Sequence, residues 1–132
     1  MKDNQTFLNR GDIFAAQAGA QLTDVREGYA RAEMTVTASH LNAGGVCQGG
    51  AIFTLADLAL AAVMNGHGLL TFSLQTNIAF LHSAHEGDTL VAEAVETLNH
   101  PKVPYVEVKV HNQDGQLVSA FTAIAYRTRQ EL

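Results

Sequence analysis

The stretch that decides the fold is QGGAIFTLADLALAAVMN, residues 48–65. Between residues 51 and 64, only Thr54 and Asp57 are not apolar. The apolar positions cover well over half of the circumference of a helix, so we expect a buried helix over residues 49–65, wrapped by a sheet or by a partner. Its fourteen nearly apolar residues fall short of the ~20 that are needed to span a bilayer.

Four strands are predicted downstream of this helix. They cover residues 69–81, 88–98, 103–111 and 117–128. In the third strand, Val106, Val108 and Val110 recur at the period of two that is typical of a half-buried strand. Tight turns such as Glu86-Gly87 connect the strands, and strands joined in this way favour an antiparallel sheet.

The region upstream of the helix predicts one further strand pair and a short helix. The strands cover residues 20–26 and 29–37, and residues 39–48 form a loop that carries two adjacent glycines. Residues 6–18 predict an amphipathic helix. Its apolar face consists of Phe7, Leu8, Ile13 and Phe14.

The composition indicates one folded domain and excludes several classes of protein. The chain has 132 residues, of which 47% are hydrophobic and 16% charged, and this excludes a disordered tail, a collagen-like repeat and a coiled coil. We therefore expect a single α+β domain over residues 1–132, in which residues 1–26 supply an N-terminal helix and the first strand. The net charge of −5 and the lack of a basic stripe argue against a nucleic-acid partner.

The beginning of the chain and its charge content predict location and assembly. Residues 1–5 include an early acid and no continuous apolar segment, so we expect no targeting signal, no membrane partner and a cytoplasmic location. The low fraction of charged residues suggests that some apolar surface is buried against another subunit.

Asp57 is the residue that points most directly to chemistry. Its helical neighbours at three and four positions are Phe53, Thr54, Leu60 and Ala61, and none of them is basic. A buried carboxylate without a partner is costly unless hydrogen bonds or a raised pKa compensate for it. Asp57 is therefore a candidate catalytic acid or base, unless it lies on an exposed edge of the helix or caps a loop amide in a partner.

The beginning of the helix offers a place for a developing negative charge. Gly49 and Gly50 have no side chain, so backbone N–H groups at the positive end of the helix are expected to stay open to a ligand. Gly50 and Asp57 are ~10.5 Å apart along the helix axis, too far for one carbonyl group to touch both. Two such helices lying antiparallel across a two-fold axis would solve this problem, and we therefore predict a homodimer with two composite sites.

A long motif around the helix start resembles that of the PaaI-type hotdog-fold acyl-CoA thioesterases. It reads His40-x-Asn42-x-x-Gly45-x-x-Gln48-Gly49-Gly50-x-x-Phe53-x-Leu55-Ala56-Asp57. The resemblance extends over about residues 27–128, including the strand 71–81 and the turn 86–88. It implies a hotdog fold, in which an antiparallel sheet wraps one long central helix and two copies pair into a dimer, often a tetramer. It also implies an acyl-CoA substrate.

The resemblance implies roles for five residues of the site. Asp57 matches the family's nucleophile or general base, and the backbone amide of Gly50 matches the oxyanion donor. Asn42 matches a loop asparagine that helps to place the carboxylate or the attacking water, and Ser73 falls where some relatives use a serine. Gln48 stands where the family usually has histidine, and its amide can donate a hydrogen bond to the thioester carbonyl but cannot shuttle a proton.

Further residues are candidates for substrate binding. Gly49 lies beside the oxyanion donor, and His40 is expected to orient the loop rather than to act in the chemistry. Aromatic and apolar side chains either line an acyl pocket or belong to the core. They are Phe53, Phe72, Phe80 and Met64. Cationic candidates for the phosphates of CoA, or else solvated surface charges, are His82, Lys102, Arg127 and Arg129.

Other reaction types are weaker interpretations of the same residues. Cys47 has no neighbouring histidine and is expected to be a small buried residue rather than a nucleophile. His82 and His85 lack the helical spacing of a zinc pair, and neither a metal nor a redox cofactor is expected. The favoured function is hydrolysis of an aryl- or medium-chain acyl-CoA. A non-catalytic acyl-CoA binding module remains an alternative because of Gln48. A hydratase or dehydratase is a weaker one, since the central helix carries no histidine.

Overall fold

The computed structural model describes residues 4–132, and its elements follow the predicted order. The helices are α1 (Asn4–Gly11), α2 (Ile13–Ala18) and α3 (Gly49–Met64). The strands are β1 (Gln21–Arg26), β2 (Tyr29–Thr35), β3 (Leu69–Phe80), β4 (Thr89–Leu98), β5 (Tyr105–His111) and β6 (Leu117–Glu131). Residues 1–3 lie outside the described residues. They belong to the predicted domain and to the segment in which no targeting signal is expected.

The six strands form one antiparallel sheet in the order β1-β2-β4-β5-β6-β3. α3 packs against the inner face of the sheet, where Leu55, Leu60 and Val63 of the helix and Ala94 and Val110 of the strands are completely buried. This arrangement confirms the predicted α+β fold with a sheet around one long helix. It leaves β1 and β3 as the two edges of the sheet.

β3 is joined to β6 along most of its length, with irregularities between Leu69 and Thr71 and between Ser73 and Gln75. The pairing shifts by one residue after Ser73, so that Leu74 is left out of the register. Residues directly opposite each other share a face of the sheet. Ile78 lies opposite the buried Phe121, and Ser73 lies opposite the buried Ala125. Both side chains are therefore on the face that is turned toward α3.

The prediction of one helix over residues 6–18 is wrong, because the chain breaks there into α1 and α2. Asp12 caps the second helix, with its Oδ1 accepting a hydrogen bond from the Ala15 N–H at 3.1 Å. Aspartate is among the residues preferred at this position, and the cap begins a new helix where the periodicity predicted a continuous one. Leu8 packs against the core as expected. The other members of the predicted apolar face are exposed, namely Phe7, Ile13 and Phe14.

The remaining element bounds agree with the sequence prediction to within three residues. The largest difference is the end of β6, which continues to Glu131 because it pairs there with Leu69 at the beginning of β3. Among the helices of residues 4–132, none has the length and apolar character needed to cross a bilayer.

Candidate active site

The N-terminus of α3 is capped by the side chain that precedes it. Gln48 Oε1 accepts a hydrogen bond from the Gly50 N–H at 2.6 Å. The first amides of a helix have no intrahelical acceptor, and a side-chain oxygen satisfies one of them. The expectation that the Gly50 amide is open to a ligand is therefore wrong for the molecule at rest. Gln48 acts there as an acceptor, and a substrate oxygen has to replace it to use this amide.

Gly49 lies under an aromatic ring. A Cβ atom added to Gly49 would lie 2.8 Å from Cζ of Phe80, so no side chain fits at this position unless the ring moves. Within residues 4–132, the Gly49 N–H has no hydrogen-bond acceptor. The helix start therefore presents one free amide at Gly49 and one amide, that of Gly50, which is held by Gln48.

Asp57 lies two turns further along α3 and is half-buried. Its carboxylate forms no hydrogen bond or ion pair with any other residue that the structure describes. Burial raises the pKa of the Asp57 carboxyl group, and the negative charge of Asp12 raises this pKa further. The structure thus supports the expectation of an unpaired acid in apolar surroundings. Such surroundings raise the pKa of a carboxyl group, as is common at functional sites.

Gly50 and Asp57 share the one open stripe of α3. Nine residues of this helix are buried. The partly or fully exposed residues at three- and four-residue spacing are Gly50, Thr54, Asp57 and Ala61. α2 packs beside α3, with Asp12 at one end near enough to Asp57 to shift its pKa. The stripe is therefore flanked by the short N-terminal helix.

A cavity of about 500 Å³ opens at the Gly50 end of this stripe. α2 supplies one wall, and the loop before α3 together with the first turn of α3 supplies the other. The lining side chains and backbone include those of Phe14, Gln17, Ala18, Gln48, Gly50 and Thr54. The cavity is within the size range of small-molecule binding sites. Asp57 of the same chain is not among the residues that line it.

His40 connects α2 to the loop before α3. Its Nδ1 accepts a hydrogen bond from the Thr37 backbone N–H at 2.9 Å, so the ring hydrogen is on Nε2. Nε2 donates that hydrogen to the carbonyl oxygen of Ala18 at 2.6 Å. The carbonyl oxygen of His40 in turn accepts from the Gln48 N–H at 2.8 Å. These bonds support the expectation that His40 orients the loop.

Asn42 organises its own loop. Its Oδ1 accepts hydrogen bonds from the backbone N–H groups of Gly44 at 2.9 Å and Val46 at 3.2 Å. The side chain is exposed, and its Nδ2 donates to no other residue in the described part of the chain. The oxygen is thus occupied, and only the amide nitrogen is available for a substrate or a water molecule.

The other predicted site residues are spread over the molecule. Ser73 is exposed on β3, on the face turned toward α3. Phe53 is half-buried, and its ring packs edge-to-face on Phe121 with centroids 5.2 Å apart. Met64 is buried in the core at the far end of α3. Phe72 is exposed on the outer face of the sheet, opposite Tyr126.

The cationic candidates do not border the cavity at Gly50. Lys102 is exposed in the loop between β4 and β5, and its carbonyl oxygen accepts from the Arg127 N–H at 2.8 Å. The Arg127 side chain donates to the carbonyl oxygen of His100 at 3.2 Å. His82 is exposed just after β3. Cys47 is buried, and burial raises the pKa of its thiol, so it has the environment of a structural cysteine.

Sequence reasoning missed the contribution of α2 to the site. Neither Asp12 nor Phe14 is a candidate from the sequence, because both belong to the segment predicted to form one amphipathic helix over residues 6–18. The capping preference of Asp12 is the one local signal that indicates a helix start there. Nothing in the sequence indicates that this short helix lies beside Asp57.

The family model and the related sequences that match this chain all describe esterases or thioesterases. Residues 44–119 match the family model described as thioesterase superfamily. A protein of Archaeoglobus fulgidus that carries the provisional name of esterase is 36% identical over 125 residues, which are 95% of this chain and 81% of that protein. The acyl-coenzyme A thioesterase PaaI of Escherichia coli is 32% identical over 124 residues, covering 94% and 89% of the two chains.

Solved structures show the same relationship. The Escherichia coli PaaI protein from the phenylacetic acid degradation operon superposes with a TM-score of 0.94 at 31% identity, over 97% of this chain and 93% of that one. A Streptococcus mutans protein bound to acetyl CoA superposes with a TM-score of 0.82 at 28% identity, over 86% and 91%.

Proposed function

The chain belongs to the thioesterase superfamily as a PaaI-type hotdog-fold hydrolase of thioesters, and on this premise we propose that it hydrolyses acyl-coenzyme A to a free acid and coenzyme A. The name of the Escherichia coli relative and the acetyl CoA bound to the Streptococcus mutans neighbour support this substrate class. The preferred acyl group is aryl or medium-chain. The observation that carries the proposal is the unpaired, half-buried carboxyl group of Asp57 on an otherwise apolar helix.

Asp57 acts in its ionised form. As a general base it takes a proton from water while the water oxygen bonds to the thioester carbon; as a nucleophile it attacks that carbon itself, and water then releases the acid. In either case the carbon–sulfur bond breaks and the thiolate of coenzyme A leaves. A raised pKa brings the carboxylate closer to the strength that an effective base needs near neutral pH. General bases of this kind contribute ~10²–10⁴-fold to the rate.

The Gly50 amide stabilises the oxyanion that forms during the attack. One fixed donor of this type is worth ~2.7–4 kcal/mol in the transition state. Gln48 Oε1 leaves the amide as the substrate oxygen arrives, and the freed side chain then turns its Nε2 toward that oxygen as a second donor. Gly49 supplies the neighbouring amide. The Nδ2 of Asn42 and the hydroxyl of Ser73 help to position the attacking water or the carboxylate.

We also propose that the site is shared between two copies of the chain. Gly50 and Asp57 of one chain are ~10.5 Å apart along the helix axis, so one thioester cannot use both. Two antiparallel α3 helices bring Gly50 of one copy to Asp57 of the other. β3 supports this pairing, because it is an edge strand with exposed Phe72, Leu74 and Phe80. Uncharged, apolar edges are ready to pair with another chain.

A non-catalytic acyl-CoA binding module is the second candidate, and the cap on Gly50 favours it. A protein that only binds acyl-CoA has no need of a free oxyanion donor, and the Gln48 oxygen already occupies this one. The unpaired Asp57 argues against this candidate, since a binding module gains nothing from a half-buried carboxylate that destabilises the fold.

Release of free thiol from a panel of acyl-CoA substrates tests the reaction. We expect the wild-type protein to release coenzyme A from aryl and medium-chain substrates, and Asp57→Asn to lower kcat/KM at least ~100-fold. Equal rates for the two proteins would show that Asp57 has no such role. Binding of acyl-CoA without thiol release by either protein would establish the binding module instead.

The oxyanion donor and the shared site are tested together by a matched pair of variants. Gly50→Pro removes the N–H at a position in the first helical turn, where proline is tolerated, whereas Gly50→Ala keeps the N–H. A Cβ at Gly50 would lie 2.5 Å from Oε1 of Gln48, so in the alanine variant, as in the proline one, the flexible Gln48 side chain shifts. We expect only the proline variant to be inactive. When it is refolded together with Asp57→Asn, mixed dimers regain one intact site, and about a quarter of the wild-type activity returns. No recovery would contradict a site built from two chains.

A further inference from the structure

The cavity at Gly50 lies beside the carbonyl group of a thioester bound as proposed, and it has room for the acyl part. The proposed reaction places the carbonyl oxygen at the Gly50 N–H, and the cavity of about 500 Å³ begins at this residue. A substituent on the carbonyl carbon therefore extends either into this space or toward the Asp57 of a second copy. The cavity is bounded on its far side by α2 and not by the central helix.

Phe14 is the large apolar side chain of that far wall. It lines the cavity, and it is 71% exposed. An aromatic ring as exposed as this one is unusual on a structured helix, since an aromatic ring normally buries most of its area. Ile13 on the same helix is 63% exposed but does not line the cavity. Phe14 and Ile13 are thus similarly exposed, but only Phe14 borders the cavity.

α2 is held firmly enough to present this ring. Its N-terminus is capped by Asp12, and its C-terminus ends at Gly19, which has a φ of 83° that favours glycine. The His40 ring donates to the carbonyl oxygen of Ala18 at 2.6 Å. The loop that carries His40 continues through a backbone hydrogen bond to Gln48. The wall and the oxyanion donor are therefore parts of one hydrogen-bonded unit.

The chemistry of the lining favours an aryl group. Phe14 offers a ring face or edge for an aromatic substituent, and ring pairs gain about two- to ten-fold in affinity beyond their area burial. Gln17 and Thr54 border the same space and offer polar groups to a ring substituent. An acetyl group is too short to reach the far wall and gains nothing from it.

We propose that Phe14 of α2 recognises the acyl group, so that the N-terminal helix sets the preference for aryl over short acyl chains. This inference rests on the proposed acyl-CoA hydrolysis and names the residue that selects its substrate. Phe14 contacts the substrate only through its acyl group and takes no part in the reaction itself.

Four proteins test the assignment: the wild type, Phe14→Ala, Phe14→Tyr and the control Ile13→Ala. For each, kcat/KM is measured with phenylacetyl-CoA and with acetyl-CoA. We expect Phe14→Ala to lose about ten-fold with phenylacetyl-CoA and to change less than about two-fold with acetyl-CoA. Phe14→Tyr keeps the ring and keeps the preference, and Ile13→Ala behaves like the wild type.

Several outcomes would overturn the assignment. They are an equal loss with both substrates, a loss in Ile13→Ala as large as that in Phe14→Ala, or a change of oligomeric mass in Phe14→Ala by light scattering. If the wild-type protein hydrolyses neither substrate, the proposed function fails, and binding of phenylacetyl-CoA is measured by titration calorimetry. Weaker binding by Phe14→Ala alone then still supports recognition by Phe14, and equal binding by all four proteins contradicts it.

Discussion

The carboxyl group of Asp57 lies where its ionised form is disfavoured, although the proposed reaction needs that form. Burial is the main reason why its pKa is raised, and the carboxylate of Asp12 adds to the effect. No cation offsets either influence among the causes of the shift. In the proposed reaction, the residue that makes the site reactive therefore also makes the fold less stable at neutral pH.

Asp12→Asn is expected to move the pH profile of the reaction. Asparagine caps a helix as well as aspartate does, so α2 keeps its start while the charge beside Asp57 is removed. The pKa of Asp57 then falls, and the acid limb of kcat/KM against pH shifts to lower pH. Asp24→Asn is the control and leaves the profile unchanged, because this partly exposed carboxylate on β1 is paired with Arg26 at 3.2 Å and is not a cause of the Asp57 shift. A shift to higher pH in Asp12→Asn would contradict the electrostatic coupling.

Asp57→Asn is expected to raise the free energy of unfolding at pH 7. The folded protein holds the pKa of Asp57 above its value of about 3.9 in the unfolded chain, so ionisation as the pH rises favours unfolding. Asparagine removes this penalty. The gain disappears at about pH 3.5, where the wild-type carboxyl is protonated in both states. Urea unfolding at the two pH values measures it, with exposed Asp114→Asn as the control. An equal effect in both variants would exclude burial as the cause.

Gln48→Glu is expected to keep the fold and lose activity. A glutamate oxygen also accepts from the Gly50 N–H, and its charge is favourable at a helix N-terminus. The same charge repels the developing oxyanion, so kcat/KM falls by about ten-fold or more. Gln48→Ala is expected to lose about 1 kcal/mol of stability, because the helix cap is removed, but to lose less activity than Gln48→Glu. Steady-state kinetics and thermal unfolding distinguish the two, and full activity in Gln48→Glu would refute the competition for this amide.

For individual residues, the sequence predicts the environment of Asp57 but not that of Gly50. The carboxylate is isolated because its helical neighbours at three and four positions lack a cation, and this follows from their order in the chain. The cap on Gly50 depends on the rotamer of Gln48, which local sequence does not determine. The influence of Asp12 depends on where a distant helix packs.

At the scale of elements, α2 needs support from the rest of the fold. Helices as short as its six residues are not stable alone. It is fixed by the cap at Asp12, by Gly19 at its end and by the hydrogen bond from His40. A hydrogen bond from a distant loop thus determines the position of the wall that faces the cavity.

His40→Ala is expected to loosen α2 without displacing α3. The shorter hydrogen bonds of the ring, to the Thr37 N–H and to the Ala18 carbonyl oxygen, are each worth about 1 kcal/mol, so their loss lowers the free energy of unfolding by about 2 kcal/mol. Hydrogen exchange of the α2 amides accelerates, while that of the α3 amides changes only with global stability. KM for aryl substrates rises. The exposed His85→Ala serves as the control, and unchanged exchange in α2 would show that His40 does not hold it.

The elements themselves follow closely from patterns in the chain. Periods of two place the strands, and the apolar stretch of residues 51–64 places α3, because both patterns reflect burial that the fold then provides. The break at Asp12 was not predicted, because capping and helical periodicity compete there and the cap prevails. The exposure of Phe14 follows from the tertiary placement of α2 and has no local cause.

For the whole molecule, the edge strand β3 is the feature that needs a partner. Its 12 residues contain no charged residue and no proline, and several of its large side chains are exposed. Natural sheets protect such edges with lysine, proline or bulges. Of these devices, β3 has only irregularities in its register, between Leu69 and Thr71 and at Leu74. The pairing that we propose, with the same strand of a second copy, would satisfy the free backbone groups and cover the apolar side chains.

Leu74→Lys is expected to keep the chain monomeric. A lysine on each of two paired edges places like charges close together and protects the edge from pairing. Light scattering then gives the mass of one chain, and kcat/KM falls because the shared sites are not assembled. Val95→Lys carries the same charge on β4, inside the sheet, at a side chain that is 50% exposed. A dimeric or fully active Leu74→Lys protein would contradict assembly through this strand.

The bond between Gln48 and Gly50 has a consequence for how binding energy is used. The oxygen of an amide accepts hydrogen bonds better than that of a ground-state thioester, so the unreacted substrate has little advantage in replacing it. The negative oxygen formed at the top of the barrier is a much stronger acceptor and displaces it easily. In the proposed reaction the Gly50 amide is thus held back from the unreacted substrate and becomes available as negative charge forms, so its hydrogen bond contributes to turnover and little to substrate affinity.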